Sequence, residues 1–166
     1  MPVEHVYGTM VTMTTYGTWL RGDERGWTSD GLIWPADPIL EAADRDRMLH
    51  PPFVFDPDRL YGIGAEIGKS LMTRQHQRIL ALTVQTWHVH FVVAESDVHI
   101  SDVVKCAKEA VRYHLRAGRP IWTDDADKRF CFDKISLRNR IHYVERHNTE
   151  CGLPPRPWPF VIGYEE

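Results

Sequence analysis

The sequence predicts an α+β fold of the ferredoxin-like class, an antiparallel sheet on the split βαβ pattern with helices on one face and an extra C-terminal helix carrying Tyr143. Three observations predict it. Segments of strand composition and segments of helical periodicity alternate as strand, helix, strand, strand, helix, strand, helix. The two central strands are separated by a tight turn near residues 85–87, as an antiparallel pair requires. The helix that follows them has a continuous apolar stripe on one side.

Each element has its own physical reason. Residues 6–16 are rich in Thr, Val, Met and Tyr, which suit a pleated strand. Residues 17–56 hold Gly17, Gly22, Gly26, Gly31, Pro35, Pro38, Pro51 and Pro52, and read as a long irregular insertion with one helical turn near 39–48. So long a connection inside a compact domain is often functional. In residues 57–75, Leu60, Ile63, Ile67 and Leu71 repeat at helical spacing, although Gly62, Gly64 and Gly68 weaken intrinsic helix formation. Residues 79–85 and 88–94 read as strands. Ser101 is placed to cap a helix whose stripe is Val103, Val104, Ala107, Val111 and Leu115, and Gly118 and Pro120 end it. Residues 128–135 read as a short strand. Ser136 then caps a last helix with Leu137, Ile141 and Val144 inward, and the proline-rich tail at 154–159 is irregular.

The 166 residues fit a single domain spanning 1–166, and 43% apolar residues are enough for a core. No run approaches the ~18 apolar residues of a membrane span, and no secretory signal is recognisable. Three widely spaced cysteines do not form a disulfide framework, so a cytoplasmic location is expected. The net charge of −3 argues against a non-specific nucleic-acid binder, and any DNA contact must use a local basic surface.

His88-Val89-His90 is the sharpest local signal. In a strand, positions i and i+2 share a face, so the two imidazoles project side by side and Val89 points the other way. Imidazole pairs ligate Zn, Mn, Fe, Cu or Ni more readily than Mg. Taken alone, the pair reads more readily as polar residues on a solvated strand face. In the last helix, Arg140, Tyr143 and His147 fall at i, i+3 and i+7, one stripe distinct from the apolar one. Tyr113 sits beside the core stripe of the middle helix, and Asp124, Asp125 and Asp127 read as a solvated turn.

These motifs resemble the single-tyrosine HUH transposases, and particularly the branch of REP-associated tyrosine transposases. The segments that carry the resemblance are Thr86-Trp87-His88-Val89-His90-Phe91-Val92-Val93, Ile121-Trp122, Tyr143-Val144-Glu145-Arg146-His147-Asn148 with Gly152-Leu153, and Trp158-Pro159-Phe160. The strand end Thr14-Thr15-Tyr16-Gly17-Thr18-Trp19-Leu20 also matches some members. Two positions depart. Thr86-Trp87 replaces the family's Pro-Asn before the first histidine, and His147 occupies the place where members commonly carry Asn or Gln as third ligand.

The resemblance implies single-stranded DNA nicking and strand transfer. Tyr143 would be the nucleophile and would form a 5′-phosphotyrosine. His88, His90 and His147 would hold a divalent metal, Mg or Mn in the family, with Zn or another softer metal favoured by a third imidazole. Asn148 is the alternative third ligand. Implied partners are single-stranded or hairpin DNA; a homodimer is one allowed arrangement, and no membrane is involved. Arg21, Arg25 and Trp27 in the insertion, with Arg140 on the last helix, are candidate DNA contacts through phosphate pairing and base stacking. Two other functions compete: a DNA-binding module of the same fold without nicking, and an unrelated metal-dependent hydrolase whose histidines activate water.

Overall fold

The computed structural model of the chain describes residues 4–165. Its elements are β1 (Gly8–Thr14), β2 (Trp27–Ser29), β3 (Leu32–Trp34), α1 (Pro38–Arg47), α2 (Leu60–Arg74), β4 (Ile79–Val84), β5 (His88–Ala94), α3 (Ile100–Leu115), β6 (Asp127–Cys131) and α4 (Lys134–Glu150). The fold is α+β. Four strands pair antiparallel in the order β4-β5-β1-β6, and β2 and β3 make a separate hairpin.

Alternation along the strands sends two sets of side chains to opposite faces. Val11, Met13, Leu82, Val84, Val89, Phe91 and Val93 face one way and pack on Ile63, Ile67 and Leu71 of α2 and Val103, Ala107 and Val111 of α3. Met10, Ala81 and Val92 face the other way and pack on Leu137, Ile141 and Val144 of α4. α2 and α3 share one face, as expected, and the extra C-terminal helix α4 covers the other, so the sheet is covered on both. The physical sign is β4, buried at every residue rather than at alternate ones.

The glycines of α2 have a packing role. A side chain at Gly64 would run into the Trp158 indole, and one at Gly68 into the Phe160 ring. The helix gives up intrinsic propensity there and gains close approach of the tail, with Trp158 Nε1 donating to the Tyr61 carbonyl at 2.9 Å. The same tail seals the free edge of β4. Ile162 N donates to Ile79 O at 2.9 Å and Gly163 N to Leu80 O at 3.1 Å.

Two helix starts differ from the sequence reading. α3 begins at Ile100, and His99, not Ser101, supplies the cap: its Nδ1 accepts from Ser101 N at 3.2 Å. α4 begins at Lys134, capped by Asp133, whose Oδ1 accepts from Ser136 N at 2.7 Å. A carboxylate three residues earlier thus replaces the serine cap and shortens the preceding strand to Asp127–Cys131. The insertion is also more regular than predicted. It contains the β2–β3 hairpin, whose turn residues Asp30 and Gly31 have φ of 52° and 74° as a tight hairpin turn needs. It also contains α1, ten residues long and tied back by the Arg21–Asp44 pair.

Candidate metal and nucleophile site

β5 is the middle of the site. Its period of two turns Val89 and Phe91 into the α2–α3 core and His88 and His90 toward α4. The register sets Thr12 of β1 opposite His90, Thr14 opposite His88, and Thr83 of β4 opposite His90 on the other side. Directly opposed residues share a face, so this part of the sheet is polar where the rest of the α4 face is apolar.

α4 crosses this polar patch with its second stripe. His147 has its ring centroid 5.8 Å from that of His88 and 4.8 Å from that of His90. The His88 and His90 rings are 4.7 Å apart. Tyr143, one turn earlier, stands edge-on to His90 at 5.6 Å and to His147 at 4.8 Å. One ring nitrogen from each histidine falls within 4.8 Å of the other two. Among the described residues, no other three His, Cys, Asp or Glu side chains converge in this way.

Hydrogen bonds orient two of the three rings. His147 Nδ1 lies 2.9 Å from the Tyr143 carbonyl. A carbonyl only accepts, so Nδ1 carries the proton and Nε2 carries the lone pair. His90 Nδ1 is 2.8 Å from Thr12 Oγ1, which again leaves Nε2 for a ligand. Nδ1 of His88 is buried without a hydrogen-bond partner. Such an orphan is unusual in a folded protein, and it leaves that nitrogen open to a ligand.

The electrostatics agree with ligand function. His88 and His90 are 8% and 7% exposed. Burial, then the charge of His147, then that of Arg25 lower the His88 pKa from 6.5 to about 4. Burial, His88 and His147 lower that of His90 to about 3. Both imidazoles are therefore neutral at pH 7 with lone pairs available. Two nitrogens bound at about 2.0–2.1 Å to one tetrahedral ion sit about 3.4 Å apart, so the trio, now within 4.8 Å, closes by up to about 1.4 Å to share a cation. The donor set and the unsatisfied nitrogen fit a divalent ion.

The other candidates are placed differently. Asn148 is 1% exposed, and its Nδ2 donates to Leu82 O at 2.9 Å and Pro155 O at 3.0 Å, fastening α4 to the β4 edge and to the tail. Arg25 reaches the margin of the cluster through Trp87, whose ring is 4.1 Å from that of His88. Arg21 is held by Asp44 through Nε at 2.8 Å and Nη2 at 2.6 Å. Trp27 stacks on Trp34 at 5.9 Å and donates to the Pro35 carbonyl. Arg140 shares the α4 stripe with Tyr143, and its charge is felt at Cys131 on β6. Tyr113 is 68% exposed on α3, across the sheet from the histidines. Asp125 and Asp127 pair with Lys128 and Arg129 as a surface turn. Thr12 was not singled out by the sequence, and Trp87 stood out there only as a departure from the family's motif. Only strand register makes Thr12 a neighbour of His90.

No protein-family profile and no curated protein matches the chain. Among solved structures it is similar to a REP-associated tyrosine transposase bound to a REP hairpin, with a TM-score of 0.53 and 14% sequence identity over 96% of this chain and 79% of that one. At that identity the likeness is one of fold: the chain shares its fold with that transposase.

Proposed function

We propose that the chain nicks and rejoins single-stranded DNA, with Tyr143 as nucleophile and His88, His90 and His147 as ligands of a divalent metal. The observation that carries this reading is the meeting of three imidazoles and one phenol ring on the α4 face of the sheet. The β4-β5-β1-β6 order, with α2 and α3 as crossovers, is read as the split βαβ arrangement of a ferredoxin-like domain. The similar transposase is bound to a REP hairpin, which suggests a hairpin with single-stranded flanks as the substrate.

The step balances as follows. The Tyr143 oxygen attacks phosphorus, and its proton leaves to a basic group or water. An O–P bond to tyrosine forms as the P–O3′ bond breaks, and the departing 3′ oxygen takes up a proton. The products are a 5′-phosphotyrosine and a free 3′-hydroxyl. Attack by a 3′-hydroxyl on the adduct reverses the exchange and joins ends, with no nucleotide cofactor. A divalent ion, when bound, supplies charge stabilisation at the phosphate. The chain does the rest. His88, His90 and His147 fix the position of that charge, Thr12 and the Tyr143 carbonyl fix the rings, and α4 carries nucleophile and third ligand on one rigid rod. Free tyrosine ionises near pH 10, so its phenol gains from a nearby cation.

The test is a single-turnover reaction on hairpin DNA with Mn²⁺ or Co²⁺, read on a denaturing gel. The wild-type chain is expected to leave a covalent protein–DNA band. Tyr143→Phe is expected to lose the band while binding metal as before. Cleavage retained by Tyr143→Phe rejects the nucleophile and points to water as the attacking group. DNA binding with no cleavage under any metal points to a binding module.

A further inference from the structure

The guanidinium of Arg25 is fixed against Trp87 at the margin of the imidazole cluster, and the loop around it is closely hydrogen-bonded. Residues 17–26 turn at Gly17, Gly22 and Gly26, with φ of 76°, 85° and 93°. Only glycine adopts these values readily. Inside the loop, Trp19 Nε1 donates to Gly26 O at 2.7 Å. The Asp23 carboxylate, 8% exposed as a residue, accepts from Arg25 N at 2.9 Å, from Nε at 2.8 Å and from Nη2 at 2.6 Å. Nη2 also donates to Thr18 O at 2.9 Å. The guanidinium carbon lies 3.9 Å from the Trp19 ring centroid and 4.9 Å from that of Trp87. Trp87 is itself anchored, its carbonyl accepting from Thr15 N at 2.8 Å and Thr15 Oγ1 at 3.1 Å.

Four side-chain or backbone bonds and two indoles are more than a solvated arginine needs. A surface arginine keeps its rotamers, and ordering it on ligand binding costs rotamer entropy. Here the rotamer is chosen beforehand, and the bonds named use Nε and Nη2, leaving Nη1 for a ligand. Asp23 offsets the net charge, so the group is a poor general attractor of DNA and a good directional donor. That is consistent with a chain whose overall charge is −3. An oxyanion is the ligand such a donor matches.

We propose that Arg25 binds a non-bridging oxygen of the phosphodiester attacked at the Tyr143 site, donating from Nη1 while Trp19, Trp87 and Asp23 hold its plane. This rests on the nicking reading above. A donor pre-set at the place where charge develops lowers the barrier without reorganising. Arg25 then acts on the cleavage step itself rather than on general affinity for DNA.

Arg25→Ala and Arg25→Lys are compared with wild type on hairpin DNA at saturating concentration. Co²⁺ binding is followed by visible absorption, and folding by thermal unfolding. Arg25→Ala is expected to slow adduct formation about 10²–10³-fold, the scale of one lost transition-state donor, with unchanged Co²⁺ affinity. Arg25→Lys keeps the stem against the indoles and the charge but not the fork, and is expected to stay folded and recover only a small part of the rate. A rate within about threefold of wild type in either folded variant overturns the proposal. So does a loss confined to DNA affinity.

If the wild-type chain forms no adduct, the nicking reading fails first. Arg25 is then judged by indole fluorescence during titration with a thymidine hexanucleotide. A change in wild type that Arg25→Ala abolishes keeps the phosphate contact. Equal titrations, or none in wild type, overturn it.

Discussion

The two faces of the sheet are made by the same strands and do different work. On the α2–α3 face, Val89 and Phe91 are fully buried in a continuous apolar core. On the α4 face, His88 and His90 alternate with them and meet Thr12, Tyr143 and His147. One residue of register separates a packing position from a chemical one. Along β5, packing positions and candidate ligand positions alternate with the pleat, while Met10, Ala81 and Val92 keep the rest of the α4 face apolar. The apolar face supplies rigidity, so the polar face can keep buried, partly unsatisfied groups.

Neighbouring substitutions give the widest separation of the two faces. Phe91→Ala is expected to cost about 3–5 kcal/mol in denaturant unfolding of the metal-free protein. His90→Ala, one residue away, is expected to cost far less there and to remove tight metal binding. Equal losses for the two variants break the division.

Acid tests the polar face next. The folded pKa values of about 4 for His88 and about 3 for His90 lie below the unfolded value of 6.5. Below pH 6.5 the unfolded chain takes up protons that the folded chain refuses. Stability is therefore complete above about pH 6.5 and falls as pH drops toward the folded values. For His88 alone the loss is on the order of 3 kcal/mol. Chemical denaturation of the metal-free protein from pH 7 to pH 4 reads it. A flat profile shows that these imidazoles are not held neutral by burial. His88→Gln is expected to flatten the profile in part, while Phe91→Leu leaves its shape unchanged.

On the apolar face, Gly64→Ala is expected to cost about 1–3 kcal/mol, because its methyl group meets the Trp158 indole. Pairing it with Trp158→Leu in a double-mutant cycle is expected to return part of that loss. Additive losses indicate that the two do not touch.

The smallest effect expected is at Thr12. Thr12→Val removes the hydroxyl that meets His90 Nδ1 while keeping the volume. Metal affinity is expected to fall about 10–100-fold with little change in unfolding of the metal-free chain. Unchanged affinity places the orientation of His90 elsewhere.

Much of this division was legible before the structure. A period of two in His88-Val89-His90 and a period of 3.6 in Tyr143 and His147 are enough to pair side chains on one face each. What periodicity lacks is register between strands, so Thr12 stayed unremarked among the threonines of β1. Helix starts were misplaced where an earlier side chain takes the cap from a serine, as His99 does from Ser101 and Asp133 from Ser136. The β2–β3 hairpin was read as loop because its strands are three residues long. Its Asp30-Gly31 turn, flanked by Leu32-Ile33-Trp34, was a usable signal. The α2 glycines were read as a local weakness because their partner rings lie near residue 160.

That last pairing sets an order of events for the chain. α2 is interrupted by glycine and is a weak helix by itself, yet its slot is filled by Trp158 and Phe160, with Trp158 anchored 97 residues from Tyr61. Contacts so distant form late, since a long loop must close before they reward the closure. Docking of the tail is accordingly the step that locks α2 and seals β4 at once. Refolding followed by Trp158 burial is expected to lag behind formation of the local β4–β5 hairpin.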